Sequence, residues 1–379
     1  MPSLTPPMVT RWLLGILLSS LLGAASLADL ASAVPPEPAA PRTENRLELR
    51  VEPLADFWFY LRSLADAGEA PAGDFAEAVE AFSRVETALR AERESWGRFD
   101  SVLHSVTTGA ELRNVFQEVE SPALRDVFVD ATQEMEQAFP VFLKTVWPEH
   151  ERAILAARER IEKDFRPVEA KAFRYMLDSL DMVDPAAEIP VYLVARGPWP
   201  EAFTRRTYGG GTVVFVGVLR EQHQGTLLYE ILLHEATHAL DMTARESPHA
   251  LMRLRDLLRE RGVEDRSLLR TVPHNLMFIQ AGETIRRFVD PEHVDYGVVS
   301  EYYDRAEHAW TEREIWHRYL AGETTLDGAL AEIAGLPVVT AKAGWTRRLL
   351  DSPLQGDSVS HFLTVRRNGV PETSTSPAR

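Results

Sequence analysis

One stretch of the chain indicates both its fold and its chemistry: residues 227–240 have the sequence LLYEILLHEATHAL. Positions four apart on an α-helix lie on one face, one turn from each other. His234 and His238 can therefore direct two imidazoles at one metal ion, and Glu235 can reach a water molecule on that ion. The flanking residues are apolar or small, and neither Pro nor Gly interrupts residues 226–245, which is typical of a buried helix. Buried histidines and acids are costly unless they are paired or bind metal, so the stretch predicts a metal site.

The HExxH pattern of residues 234–238 resembles that of the zincin metallopeptidases. The resemblance implies that His234 and His238 bind Zn²⁺ and that Glu235 is the general base in the hydrolysis of a peptide or protein substrate. It also implies the fold class: α+β and predominantly α, with a zincin-like catalytic core that contains a small sheet and the HExxH active-site helix.

A catalytic zinc ion usually has three protein ligands, so a third must be sought. The metzincin branch would continue with Gly and His three and six residues after the second His. Asp241 and Ala244 occupy those positions, which excludes that branch. The gluzincin branch takes a Glu from a later helix, and Glu283 lies within an apolar helical run over residues 275–289, beside Gly282. A glycine there suggests that another group approaches closely. We therefore predict Glu283 as the third ligand.

Alternatives to this ligand set remain open. Glu283 could instead form an exposed ion pair with Arg286 or Arg287, and the other candidate ligands are His249, His274 and His308. Asp241 shares a helical face with the two motif histidines, where it either orients an imidazole or is simply solvated.

The gluzincin resemblance also implies a Tyr or His downstream of the Glu ligand that stabilises the oxyanion of the substrate. Tyr302 and Tyr303 are the predicted donors. The alternative is that both rings only fill the core, as helical aromatics commonly do.

The amino terminus and the composition predict export. Arg11 precedes the apolar run at residues 12–22, and a small-x-small cleavage pattern follows at residues 31–33. The protein is therefore expected to be periplasmic or secreted from a bacterium, with a membrane association only if this segment remains as an uncleaved anchor. The chain has no Cys, so stability must come from core burial and bound metal. Its net charge of −16 argues against nucleic acid and anionic membrane surfaces as partners.

The pattern along the chain predicts five segments. Residues 1–33 form a signal peptide, 34–46 a flexible leader, 47–185 a helical region, 186–340 the zincin-like catalytic region, and 341–379 a C-terminal segment with a disordered tail. Strands are predicted at residues 189–194 and 212–218, and the second is expected to be the edge strand that pairs with an extended substrate. Helices are predicted over residues 248–262, 300–320 and 325–333. A further helix is predicted to start at residues 271–274, with Pro273 near its first turn, and to continue through residues 275–289.

The sequence thus predicts an exported zinc metallopeptidase. Two other functions stay open: a zinc hydrolase of a non-peptide amide or ester, and a catalytically inactive helical binding protein.

Overall fold

The computed structural model describes residues 46–67, 73–184, 187–198, 200–207, 210–244, 248–306 and 308–337. The predicted signal peptide, nearly all of the leader and the segment 341–379 lie outside these residues. The described residues fall in a single compact unit. Among them, no helix is both long enough and apolar enough to cross a bilayer.

A four-stranded sheet lies at the centre of the described chain. Its strands are β1 (Leu47–Arg50), β2 (Ile189–Val194), β3 (Ala202–Arg206) and β4 (Thr212–Gly217), in the order β1-β2-β4-β3. β1, β2 and β4 are parallel, whereas β3 runs antiparallel to β4 and forms an edge. Nearly all residues of β2 and β4 are buried, as expected for parallel strands covered on both faces.

Two expectations about strands were wrong. Residues 47–50 were assigned to the helical region, but they form β1. The strand before the HExxH motif was expected to be the edge strand, but β4 is interior and β3, which had not been predicted, occupies the edge. The strands at residues 189–194 and 212–217 were predicted correctly.

The helices confirm the predicted α+β, mainly α class. The N-terminal half contains α1 (Pro53–Ala67), α2 (Ala76–Glu92), α3 (Trp96–Asp100), a 3-10 turn (Ser101–Ser105), α4 (Gly109–Gln117), α5 (Pro122–Thr145), α6 (Trp147–Arg160), a π-helical turn (Ile161–Phe165) and α7 (Arg166–Ser179). The C-terminal half contains a 3-10 turn (Glu221–His223), α8 (Thr226–Thr243), α9 (Ala250–Glu260), α10 (Leu268–Phe288), α11 (Tyr296–Val299), α12 (Tyr302–Arg305), α13 (Ala309–Leu320) and α14 (Leu326–Ala334).

Two predicted helix boundaries also need correction. The helix predicted to start at residues 271–274, with Pro273 near its first turn, begins at Leu268 instead, so that Pro273 lies in its second turn. The helix expected at residues 300–320 is divided into α12 and α13, because His308 adopts a left-handed backbone conformation with φ of 63°.

One hydrophobic core runs through the predicted helical and catalytic regions. An aromatic cluster formed by Trp58, Phe82, Trp96, Phe116 and Phe128 fills the space between the N-terminal helices. Phe59 continues it to the sheet, with ring centroids 5.3 Å from Phe203 and 4.9 Å from Phe215. The N-terminal helices therefore cover one face of the sheet and α8 packs against β3 and β4.

Candidate metal centre

The HExxH residues lie in the interior of α8. This helix is apolar on most of its circumference, and it is buried between the sheet and α10. His234 is 2% exposed and Glu235 is 5% exposed, while His238 is partly accessible. The ring centroids of His234 and His238 are 4.8 Å apart, as their spacing of one helical turn requires.

A third imidazole, that of His274, joins this pair from α10. Its ring centroid lies 4.8 Å from that of His234 and 5.1 Å from that of His238. One ring nitrogen of each histidine lies within 4.8 Å of the others. Three nitrogens at this separation can converge on a single cation after small side-chain adjustments.

Glu283, the predicted third ligand, lies elsewhere on α10. It is nine residues after His274, which is about two and a half helical turns, so the two side chains leave opposite sides of the helix. Its carboxylate forms ion pairs with Arg286 and His317. The structure thus brings His274, and not Glu283, to the motif histidines, and it shows the ion pair with Arg286 that was the alternative.

The close approach expected at Gly282 is present, but it comes from a carboxylate. A Cβ atom at Gly282 would lie 2.5 Å from Oδ1 of Asp295. Asp295 is buried and pairs with Arg286 and Arg313. The glycine therefore makes room for an ion-pair cluster one helical turn beyond Phe278.

The environment keeps all three histidines neutral. Burial lowers the pKa of His238 to about 4 and the pKa values of His234 and His274 well below the ordinary value, and the neighbouring imidazoles add to the effect for the latter two. Neutral imidazoles offer the lone pairs that a metal ion requires. In addition, Nδ1 of His234 is buried and has no hydrogen-bond partner among the described residues. This donor set therefore fits a divalent ion such as zinc.

Glu235 is positioned by the edge strand. Oγ1 of Thr204, on β3, lies 2.8 Å from Oε2 and 2.8 Å from the main-chain oxygen of Glu235. Burial raises the pKa of Glu235 to about 7, although the Thr204 hydrogen bond and the charge of Arg205 oppose the shift. A carboxyl group with a pKa near neutrality can both accept and return a proton.

The two predicted oxyanion donors occupy different environments. The Tyr302 hydroxyl lies 3.2 Å from Nδ1 of His274 and donates to Oδ1 of Asn275 at 2.5 Å. The Tyr303 hydroxyl is buried without a hydrogen-bond partner among the described residues, and its ring lies against Gly297. Tyr302 therefore contacts a histidine of the cluster, whereas no contact joins Tyr303 to those histidines.

The remaining candidates lie away from the three imidazoles. Asp241 forms a two-pronged ion pair with Arg255, at 2.8 and 2.6 Å, and lies 3.4 Å from His249. His308 contacts the main-chain oxygen of Pro337. Asp241 is thus an ion-pairing residue of α8, one turn beyond His238.

Phe278 separates the cluster from the rest of the core. Its ring stacks on that of His234, with centroids 3.7 Å apart, and Tyr296 stacks on its other side at 5.5 Å. Phe278 follows His274 by one helical turn, so both face α8. The four-residue spacing between His274 and Phe278, which puts both on the apolar side of α10, was the sequence signal that could have identified His274.

No protein-family model, curated protein or solved structure matches this chain. The resemblance to the zincins therefore rests on residues 234–238.

Proposed function

We propose that this protein is a zinc-dependent peptidase whose metal ligands are His234, His238 and His274. One observation supports this above all: three neutral imidazoles from α8 and α10 lie together beside an acid whose pKa lies near 7. The imidazole of His234 is buried, and those of His238 and His274 are partly accessible. A zinc ion held there supplies a Lewis acid and lowers the pKa of a water molecule. In this proposal His274 takes the place of Glu283, which the sequence had predicted as the third ligand.

Glu235 moves the protons in the proposed reaction. Its carboxylate accepts a proton from the attacking water and returns it to the amine that leaves when the peptide bond breaks. Thr204 orients Glu235 through the hydrogen bond at Oε2. The three histidines stay neutral throughout, because burial disfavours their protonated forms.

The edge strand supports a peptide substrate. In the described part of the chain β3 pairs only with β4, and we place an extended substrate along its other edge, as a further strand. Thr204 belongs to this strand, so a peptide added there would run beside Glu235. A non-peptide amide or ester lacks the repeating main-chain donors and acceptors that pair along a strand.

The experiment uses the full chain, stripped with a chelator and reloaded with zinc. We expect one zinc ion per chain and cleavage of a quenched-fluorescence peptide library. Glu235→Gln should retain the metal and lose activity by a factor of about 10² or more. Glu221→Gln is the matched control, since Glu221 is exposed on the 3-10 turn before α8.

Each outcome decides one part of the proposal. A wild-type protein without stoichiometric metal would refute the metal centre. Metal binding with turnover of amide or ester probes, but of no peptide, would refute the substrate class. Full activity in Glu235→Gln would refute the proton-transfer role.

A further inference from the structure

A chain of hydrogen bonds leads from His274 to a buried carboxyl group on α13. Nδ1 of His274 lies 3.2 Å from the hydroxyl of Tyr302, which lies 2.5 Å from Oδ1 of Asn275. Nδ2 of Asn275 in turn donates to Oε2 of Glu312 at 2.7 Å. Asn275, Tyr302 and Glu312 are all buried.

The donors and acceptors along this chain are consistent in one direction. Oε2 of Glu312 accepts from the amide of Asn275, which turns Oδ1 of Asn275 toward Tyr302. The single hydroxyl hydrogen of Tyr302 is then used by Oδ1, so the hydroxyl oxygen can only accept from His274. His274 therefore has its hydrogen on Nδ1 and its lone pair on Nε2. With the amide reversed, Oδ1 of Asn275 would face Oε2 of Glu312, and two acceptors would meet unless Glu312 carried a proton on that oxygen.

Burial does not remove this direction. It raises the pKa of Glu312 to about 8, with the Asn275 hydrogen bond opposing the shift. When Glu312 is protonated on Oε1, its Oε2 still accepts from Asn275, so the chain keeps the direction that the orientation of the Asn275 amide gives it. Burial also makes each link costly to break, since an unpaired polar group cannot turn to water.

We infer that Tyr302, Asn275 and Glu312 are positioning residues that hold His274 in the tautomer and orientation needed to bind the metal through Nε2. The inference rests on the proposed metal centre and assigns Tyr302 a role different from that of an oxyanion donor. Such a partner fixes the ring of a ligand histidine and raises its basicity. It also accounts for how His274, a ligand on α10, is held in place beside the two ligands on α8.

The first test compares Tyr302→Phe with Tyr303→Phe. Both remove one hydroxyl from a buried tyrosine of α12, but only the Tyr302 hydroxyl has partners among the described residues. Zinc and cobalt affinities are measured by competition with a chromophoric chelator. We expect Tyr302→Phe to weaken zinc binding about 10- to 100-fold and Tyr303→Phe to leave it unchanged.

The second test reads the tautomer directly. In metal-free wild-type protein, the ¹⁵N shifts of His274 should show the hydrogen on Nδ1, and in Tyr302→Phe they should show a mixture of tautomers. Glu312→Gln keeps an acceptor oxygen and should preserve zinc affinity, whereas Glu312→Leu should weaken it as Tyr302→Phe does. If Tyr302→Phe fails to fold, the two Glu312 variants take the place of the Tyr302→Phe and Tyr303→Phe comparison.

The outcomes separate this inference from the proposed function. If wild-type protein binds no zinc, the proposed function fails. If wild-type protein binds zinc and Tyr302→Phe binds it as tightly as Tyr303→Phe does, the positioning role is overturned and the metal centre stands. A hydrogen on Nε2 of His274 in the metal-free protein would overturn it too.

Discussion

Replacing His274 with Ala should destroy the metal centre, whereas replacing Glu283 with Ala should leave it intact. Both residues belong to α10, so both substitutions perturb the same helix. They lie about 13 Å apart along its axis and on opposite sides, well beyond the reach of a Glu side chain. The pair of variants therefore compares the two candidate third ligands directly.

The size of the effect follows from the number of ligands. Zinc sites with four protein ligands bind with about 10–16 kcal/mol, which corresponds to roughly 3 kcal/mol for each ligand. At 1.4 kcal/mol per tenfold change, losing His274 should raise the zinc Kd about 100-fold or more. Loss of Glu283 should change it less than about threefold, because its carboxylate is engaged by Arg286 and His317.

The assay is zinc titration of the stripped protein against a chromophoric chelator, followed by urea unfolding with and without metal. At a zinc concentration 100 times Kd, wild-type protein and Glu283→Ala should each gain about 2.7 kcal/mol of unfolding free energy. His274→Ala should gain almost nothing at that concentration. If instead Glu283→Ala loses zinc while His274→Ala retains it, the reasoning from helical phase is refuted.

Two further predictions concern the surroundings of the site. Thr204→Val removes the hydroxyl next to Oε2 of Glu235 and should lower kcat about tenfold without changing zinc affinity. A tenfold loss corresponds to one hydrogen bond of about 1.5 kcal/mol to a charged group. An unaltered kcat would contradict this prediction. Glu283→Gln should destabilise the fold at pH 7 by at most about 3 kcal/mol, because the hydrogen bonds from His317 and Arg286 outweigh burial and lower the pKa of Glu283 from 4.5 to about 2. Since the folded pKa is the lower one, this stabilisation is complete above pH 4.5 and is lost as the pH falls through about 2. The unfolding free energies of wild type and variant should therefore converge in acid, and a constant difference down to pH 2 would contradict the assignment.

The HExxH helix was predictable because its evidence is local. Residues 226–243 form α8, and the spacing of His234 and His238 places their rings together without help from tertiary structure. Choosing the proposed third ligand required knowledge of which side of α10 faces α8. Glu283 was favoured as an acid in an apolar run, but an acid followed by Arg at i+3 marks an ion-pairing face. His274 and Phe278, four residues apart, mark the side that packs on α8.

The sheet was predictable only where its strands were long and apolar. β2 and β4 are continuous runs of buried residues, and both were found. β1 has only four residues and adjoins a long helical pattern, while β3 includes two consecutive arginines. Arg205 is tolerated in the interior because Asp100 on α3 lies 3.6 Å away, and this partner is distant in sequence. No local pattern reveals such compensation.

The attachment of β1 has a consequence for proteolytic processing of this protein. Residues 47–50 form an edge of the same sheet that supports α8, and Asp56 accepts hydrogen bonds of 2.6 Å from the amide of Ala195, just past β2, and from His150. Excision within residues 47–67 would remove one of the two strands that pair with β2 and would take Phe59 from the sheet, so this segment is part of the folded core and cannot be trimmed away without damaging the sheet that supports α8.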